Sequence, residues 1–232
     1  MSENQKSELN TKKLPELWEW AEYYCPWCYV AAVRFHKLAD QYKDKVFFRN
    51  RAFPLEVYGG GPAPHDILEQ EIWLAAIQES DAEFKPLTSD WPTTTLPAFD
   101  AAWCANQQGY EIGLDFDLRI RRAFFAEGRN IGKQEIMVDL AKEAGLDMPK
   151  FTKQFESGEA RAAILEEGKL GKEQFGVRGT PVPMLGNGEK LRHAIAYPRF
   201  KEGKVISVGQ LPDNGTDRLG SVRQMFEKAA AQ

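Results

Sequence analysis

Two of the three cysteines in this 232-residue chain fall in one tetrapeptide, Cys25-Pro26-Trp27-Cys28. Two thiols at this spacing can close a small disulfide or exchange with another one. At a helix start the first sulfur meets unpaired backbone N–H groups and the positive end of the helix dipole, which favour a thiolate. Cys25 is therefore the candidate nucleophile, and Cys28, one turn further in, the candidate resolving thiol. Pro26 suits the first helical turn, where a missing N–H does no harm. Trp27 carries no positive charge and gives a Cys25 thiolate no support of the kind a histidine there would. The expectation is a mild oxidant or a reductase. Zinc would need two more ligands, and Cys104, His36, His65 and His193 form no paired motif. Cys104 reads as a small apolar core residue.

The elements that must position the pair follow from the patterning around it. Leu14 to Tyr24 is rich in aromatics and reads as a buried strand, Tyr29 to Ala39 as a helix with one apolar stripe, and Val46 to Phe53 as a second strand. That order is a βαβ unit with parallel strands and a right-handed crossover. After the break Gly59-Gly60-Gly61-Pro62-Ala63-Pro64 the pattern turns helical. Helices are expected over Asp66–Ser80, Pro97–Gln108, Asp115–Glu127, Lys133–Ala144 and Pro149–Ser157, most of them closed by a following glycine. Glu159–Phe175 reads as a weak or broken helix because of Gly168 and Gly171. A turn from Gly176 then feeds a short apolar strand ending at Leu185, followed by a tight turn at Asn187-Gly188. Lys204–Val208 reads as another strand and Asp217–Ala230 as a terminal amphipathic helix.

Composition bounds the function. Hydrophobic residues make up 43% and charged residues 28%, an ordinary globular balance. A net charge of −4 without a Lys/Arg cluster argues against a nucleic-acid partner. No apolar run approaches the roughly 20 residues that span a membrane. The polar stretch Met1–Lys13 has no apolar core for a secretory signal, and three cysteines cannot close a disulfide framework; both point to the cytoplasm.

The segment from Leu17 to Cys28, the helical block, and Gly176-Val177-Arg178-Gly179-Thr180-Pro181 together resemble the DsbA family of thioredoxin-fold proteins. Cys-Pro-Trp-Cys followed by Tyr29 is similar to its FrnE-like branch. The resemblance implies an α/β thioredoxin fold, βαβ then ββα, interrupted by an all-helical insertion. Residues 1–13 would be a mobile tail, 14–58 the first half of the thioredoxin domain, 59–175 the insertion and 176–232 the second half. It further implies a cis Pro181 in a loop beside the cysteines, with Thr180 offering backbone groups to an extended substrate. Pro26 and Trp27 join these two as candidate substrate contacts. Glu19 falls where the superfamily commonly buries an acid beneath the disulfide, and so is a candidate relay for the Cys28 proton. Glu22 is the weaker stand-in, and a solvent-facing Glu19 is the alternative that strand alternation leaves open.

The function these residues support is a thiol–disulfide oxidoreductase acting on protein or low-molecular-weight disulfides. It needs no cofactor beyond the cysteine pair, with glutathione or another small thiol as co-substrate. Two other readings stand beside it. One is a thiol-dependent reductase, isomerase or transferase acting on a small aromatic molecule, although such isomerase and transferase relatives generally carry serine at the Cys25 position. The other is a chaperone-like binding module with a structural disulfide. Trp27, Tyr29 and Trp103 are candidates to line a groove beside the cysteines, and Arg119-Ile120-Arg121-Arg122 reads as a solvated helix face. The segment 186–203 and the oligomeric state are unassigned, with a homodimer open.

Overall fold

A strand that is apolar on both faces must be covered on both, and residues 16–21 set that requirement. The computed structural model describes residues 14–59, 61–62, 64–211 and 217–232; the expected tail at 1–13 lies outside them. Strand β1 (Glu16–Ala21) is the centre of a three-stranded sheet of order β2-β1-β3. It runs parallel to β2 (Phe47–Ala52) and antiparallel to β3 (Val182–Leu185), with Glu19 opposite Asn50 and Pro183.

On one face Leu17 packs with Ala31, Phe35 and Leu38 of helix α1 (Pro26–Tyr42). The C-terminal helix (Gly220–Ala230) adds Val222, Met225, Phe226 and Ala229 to the same cluster. On the other face Trp18 and Trp20 pack with Phe53, Val177 and Met184. Between β2 and β3 the chain forms the short α2 (Leu55–Tyr58), then α3 (His65–Ala76), α4 (Leu96–Asn106), α5 (Tyr110–Phe125), α6 (Gln134–Glu143), α7 (Met148–Glu156) and α8 (Glu159–Glu173). Side chains from α3 to α8 share one large apolar cluster.

Three expectations need correction. The segment from Glu159 is an unbroken helix, and its glycines are packing sites. A Cβ on Gly171 would sit 2.6 Å from the Trp20 ring, and one on Gly168 2.4 Å from the Tyr58 ring. Their bare backbone lets α8 lie close on the sheet at Gly171 and on α2 at Gly168. Likewise α5 begins five residues earlier than its pattern suggests and holds Gly113 inside it. A Cβ there would meet the Asn106 amide oxygen at 1.9 Å, so this glycine lets α4 and α5 approach.

The third correction concerns the strand at Lys204–Val208. It exists, but pairs with Pro198–Lys201 in a separate two-stranded sheet, β4 and β5, outside the central one. Gln70 of α3 holds this hairpin, accepting from the Val205 N–H at 3.1 Å and donating to the Gly203 carbonyl at 2.8 Å. Beside β3 the chain instead turns back at Asn187-Gly188 and makes a single bridge, Met184 to Lys190. The last helix is α9 (Gly220–Ala230). Among the described residues no helix is long and apolar enough to cross a membrane.

Candidate functional site

Cys25 is the N-cap of α1, and its sulfur accepts the Cys28 N–H at 3.4 Å. Pro26 occupies the first turn, where its missing N–H leaves no helical hydrogen bond unmade. From the opposite side comes the loop before β3. The Thr180–Pro181 peptide bond is cis, and the Cys25 thiol points to the Thr180 carbonyl at 3.8 Å. Cys25, Cys28, Pro26, Thr180 and Pro181 are thus gathered from positions some 150 residues apart in the chain. The Thr180 hydroxyl oxygen is buried without a hydrogen-bond partner.

The two thiols differ. Cys28 is fully buried and accepts the Glu22 N–H at 3.5 Å. Burial pushes its pKa well up, the hydrogen bond to Cys25 adds to this, and the Arg121 guanidinium works against it. A neutral buried thiol behind a helix-capping one suits a resolving role. Cys104 is buried in the helical core as expected, its thiol pushed up to about 12 by desolvation.

Glu19 is buried, alternating with Leu17 and Ala21 on the sheet face that α1 covers. The solvent-facing alternative is therefore excluded. Its partner is His193, whose Nε2 lies 2.9 and 3.1 Å from the two carboxylate oxygens. Both side chains are 1% exposed, and the imidazole packs edge-on against Phe35. Its Nδ1 has no partner. Nothing near His193 in the chain marks it; the available signal was that a buried acid needs a partner, here 174 residues away.

A second buried network lies beneath Cys28. Arg121 donates to the Glu22 carbonyl at 2.8 Å and to both oxygens of Asp117 at 2.9 and 3.2 Å, and lies over the Tyr23 ring. The Tyr23 hydroxyl donates to Asp117 at 2.9 Å. The reading of residues 119–122 as a solvated face thus fails for Arg121. Helical periodicity sends Arg119 and Arg122 outward together and turns Arg121 inward, one turn from Asp117. The Glu22 carboxylate accepts from the N–H groups of Tyr23 (2.6 Å) and Leu55 (2.8 Å) and from the Thr95 hydroxyl (2.7 Å). It ties the loop before the cysteines to the starts of α2 and α4.

Burial raises the Glu22 pKa from 4.5 to about 7 against these hydrogen bonds. Between those values the folded protein keeps a proton that the unfolded chain has released, so stability falls as pH rises from about 4.5 to about 7, by about 3 kcal/mol. Urea unfolding at pH 5 and pH 7.5 is expected to show this loss, and Glu22→Gln to remove it. An equal slope in both proteins contradicts the assignment.

Trp27 is buried, its indole N–H on Glu71 at 3.1 Å and its ring edge-on to Tyr197. Tyr197 itself is 41% exposed, so the hairpin arm caps Trp27 from outside. Tyr29 and Trp103 are not in a groove beside the cysteines. Tyr29 stacks on Phe125 within the helical core, and Trp103 lines a separate cavity beside β2.

A strand leading into a helix capped by Cys25, a Cys28 one turn inside, and a cis-proline loop against the first sulfur define a thioredoxin-type dithiol site. The DSBA-like thioredoxin domain model matches residues 16–202, and the chain belongs to that family. Over 178 residues it is 26% identical to the uncharacterized protein YwbO of Bacillus subtilis, covering 72% of this chain and 85% of that one. Among solved structures it resembles a putative protein disulfide isomerase from Nitrosomonas europaea, with TM-score 0.66, 20% identity and coverage of 93% and 97%. It is also similar to the cytosolic disulfide reductase DsbM from Pseudomonas aeruginosa, with TM-score 0.60, 19% identity and coverage of 94% and 98%.

Proposed function

We propose that this protein is a thiol–disulfide oxidoreductase in which Cys25 attacks and Cys28 resolves. The observation that carries the reading is the asymmetry of the pair: Cys25 caps the helix against the Thr180 carbonyl, while Cys28 is sealed behind it. The Cys25 thiolate attacks a substrate disulfide, one substrate sulfur leaves as a thiolate, and a mixed disulfide forms. Cys28 gives up its proton and attacks the Cys25 sulfur. The second substrate thiol is released and a Cys25–Cys28 disulfide remains. Two molecules of a small thiol such as glutathione then restore the dithiol, themselves becoming a disulfide.

Glu19 serves as the acceptor of the Cys28 proton, and His193 positions its carboxylate. Accordingly, Glu19→Gln is expected to slow the resolving step by about a hundredfold and leave the first attack unchanged, read by stopped-flow kinetics. Equal slowing of both steps would point to a structural role. Thr180 and Pro181, both half-buried, form the rim that an extended substrate meets, whereas Pro26 and Trp27 are buried behind it and shape the site rather than touch the substrate. The site works in a reducing, cytoplasmic setting.

Equilibration in glutathione redox buffers tests this reading. Cys25 and Cys28 are expected to titrate together as one two-electron couple, between the thioredoxin value of about −270 mV and the disulfide isomerase value of about −180 mV. Trp27→His is expected to move the couple to a more oxidising potential. A wild-type couple near the DsbA value of about −120 mV, or no joint transition, overturns it.

A further inference from the structure

β2 is an edge strand, and along its outer side the helical layer stands off the sheet. A cavity of about 300 Å³ lies there, at the lower end of the range for small-molecule sites. Its walls come from consecutive residues of β2, from α4 (Phe99, Ala102, Trp103), from α5 (Tyr110, Gly113) and from Ile164 of α8. Neither cysteine of the pair is among its lining residues, and Asn106 and Gln107 at its margin are exposed, so it opens to solvent.

The polar groups in these walls specify what the cavity can hold. Every charged group lining it is already paired. Arg49 and Arg51 both bond one oxygen of Glu167, at 2.7 and 2.8 Å, and Arg121 is held by Asp117. The other Glu167 oxygen accepts the Ala52 N–H at 2.9 Å and so caps the edge of β2. One buried lining group has no partner: the side-chain oxygen of Asn50 accepts from nothing. A buried amide oxygen without a donor is unfavourable, and a bound donor would relieve this. The remaining surface is mixed, with rings from Phe99, Trp103, Tyr110 and Tyr23 beside the exposed amides of Asn106 and Gln107.

We propose that this cavity is a binding site, separate from the cysteine pair, for a small uncharged aromatic molecule with one N–H or O–H donor. The donor meets Asn50 Oδ1 and the ring lies against Trp103 and its aromatic neighbours. A charged ligand finds no free counter-charge, because Glu167 and Asp117 already hold the arginines. Gly113 contributes by absence, since any side chain there would displace Asn106 from the cavity margin.

Indole is a suitable probe, a flat uncharged ring with one N–H, and benzothiophene is its counterpart without a donor. Calorimetric titration of the full-length protein is expected to give saturable indole binding with a dissociation constant below about 1 mM. Benzothiophene should bind the wild type at least about fivefold more weakly. Asn50→Leu is expected to abolish the preference between the two probes, and Trp103→Ala to weaken both. Neither residue belongs to the thiol site, so the glutathione redox couple should be unchanged in each variant, which also reports that it is folded. Two variants keep the test open if one is unstable. The proposal is overturned if indole does not saturate, or if it binds wild type and the folded variants equally.

Discussion

Cys25→Ser is expected to lower disulfide exchange by at least about a thousandfold, because it removes the group that forms the covalent intermediate. The geometry offers no substitute. Cys28 is fully buried, its thiol is held neutral by desolvation, and its sulfur faces the Glu22 N–H rather than the Thr180 loop. Cys104 is sealed in the helical core with a pKa pushed up to about 12. Serine at the N-cap still accepts the Cys28 N–H, so α1 keeps its start and folding is preserved. Insulin reduction with glutathione as the electron source measures the effect. Activity within tenfold of wild type would mean that another group carries the chemistry, and would favour a binding function for the fold.

Arg121→Met is expected to be the most destabilising single substitution near the site, by about 3–5 kcal/mol. Arg121 is 1% exposed, and its removal leaves the Asp117 carboxylate buried with only the Tyr23 hydroxyl and takes the donor from the Glu22 carbonyl. The loss reflects an uncompensated buried charge more than the worth of the pair. A double variant, Arg121→Met with Asp117→Leu, is therefore expected to recover much of it. Because Arg121 also lowers the Cys28 pKa, the single variant should resolve mixed disulfides more slowly. Urea unfolding of the three proteins decides the first point. A loss below about 1 kcal/mol for Arg121→Met would show that water reaches Asp117.

Much of the site is legible in the chain because its chemistry is local. Cys25-Pro26-Trp27-Cys28 contains a cap, a first-turn proline and a sulfur one turn on, and α1 begins where those residues require. The strand–helix–strand order around it follows from apolar patterning over short windows, and the structure keeps it. What stays hidden depends on contacts between distant segments. Gly168 and Gly171 weaken a helix by propensity alone, yet they are what lets α8 rest on Trp20 and Tyr58. Arg121 looks like its exposed neighbours until Asp117 and the Glu22 carbonyl are seen around it. His193 has no local motif, and only the fold brings it to Glu19. Lys204–Val208 has a strand's pattern, but pattern does not say which sheet it joins; Gln70 of α3 holds it away from β3.

Trapping the intermediate tests the central claim most directly. Cys28→Ser, incubated with oxidised glutathione, should accumulate a mixed disulfide, since Cys25 can attack and release one glutathione thiolate but nothing can resolve the product. Mass spectrometry of the intact protein and its peptides is predicted to find one glutathionyl group, on Cys25. A glutathionyl group on Cys104 instead, or an unmodified Cys25 after prolonged incubation, would contradict the account.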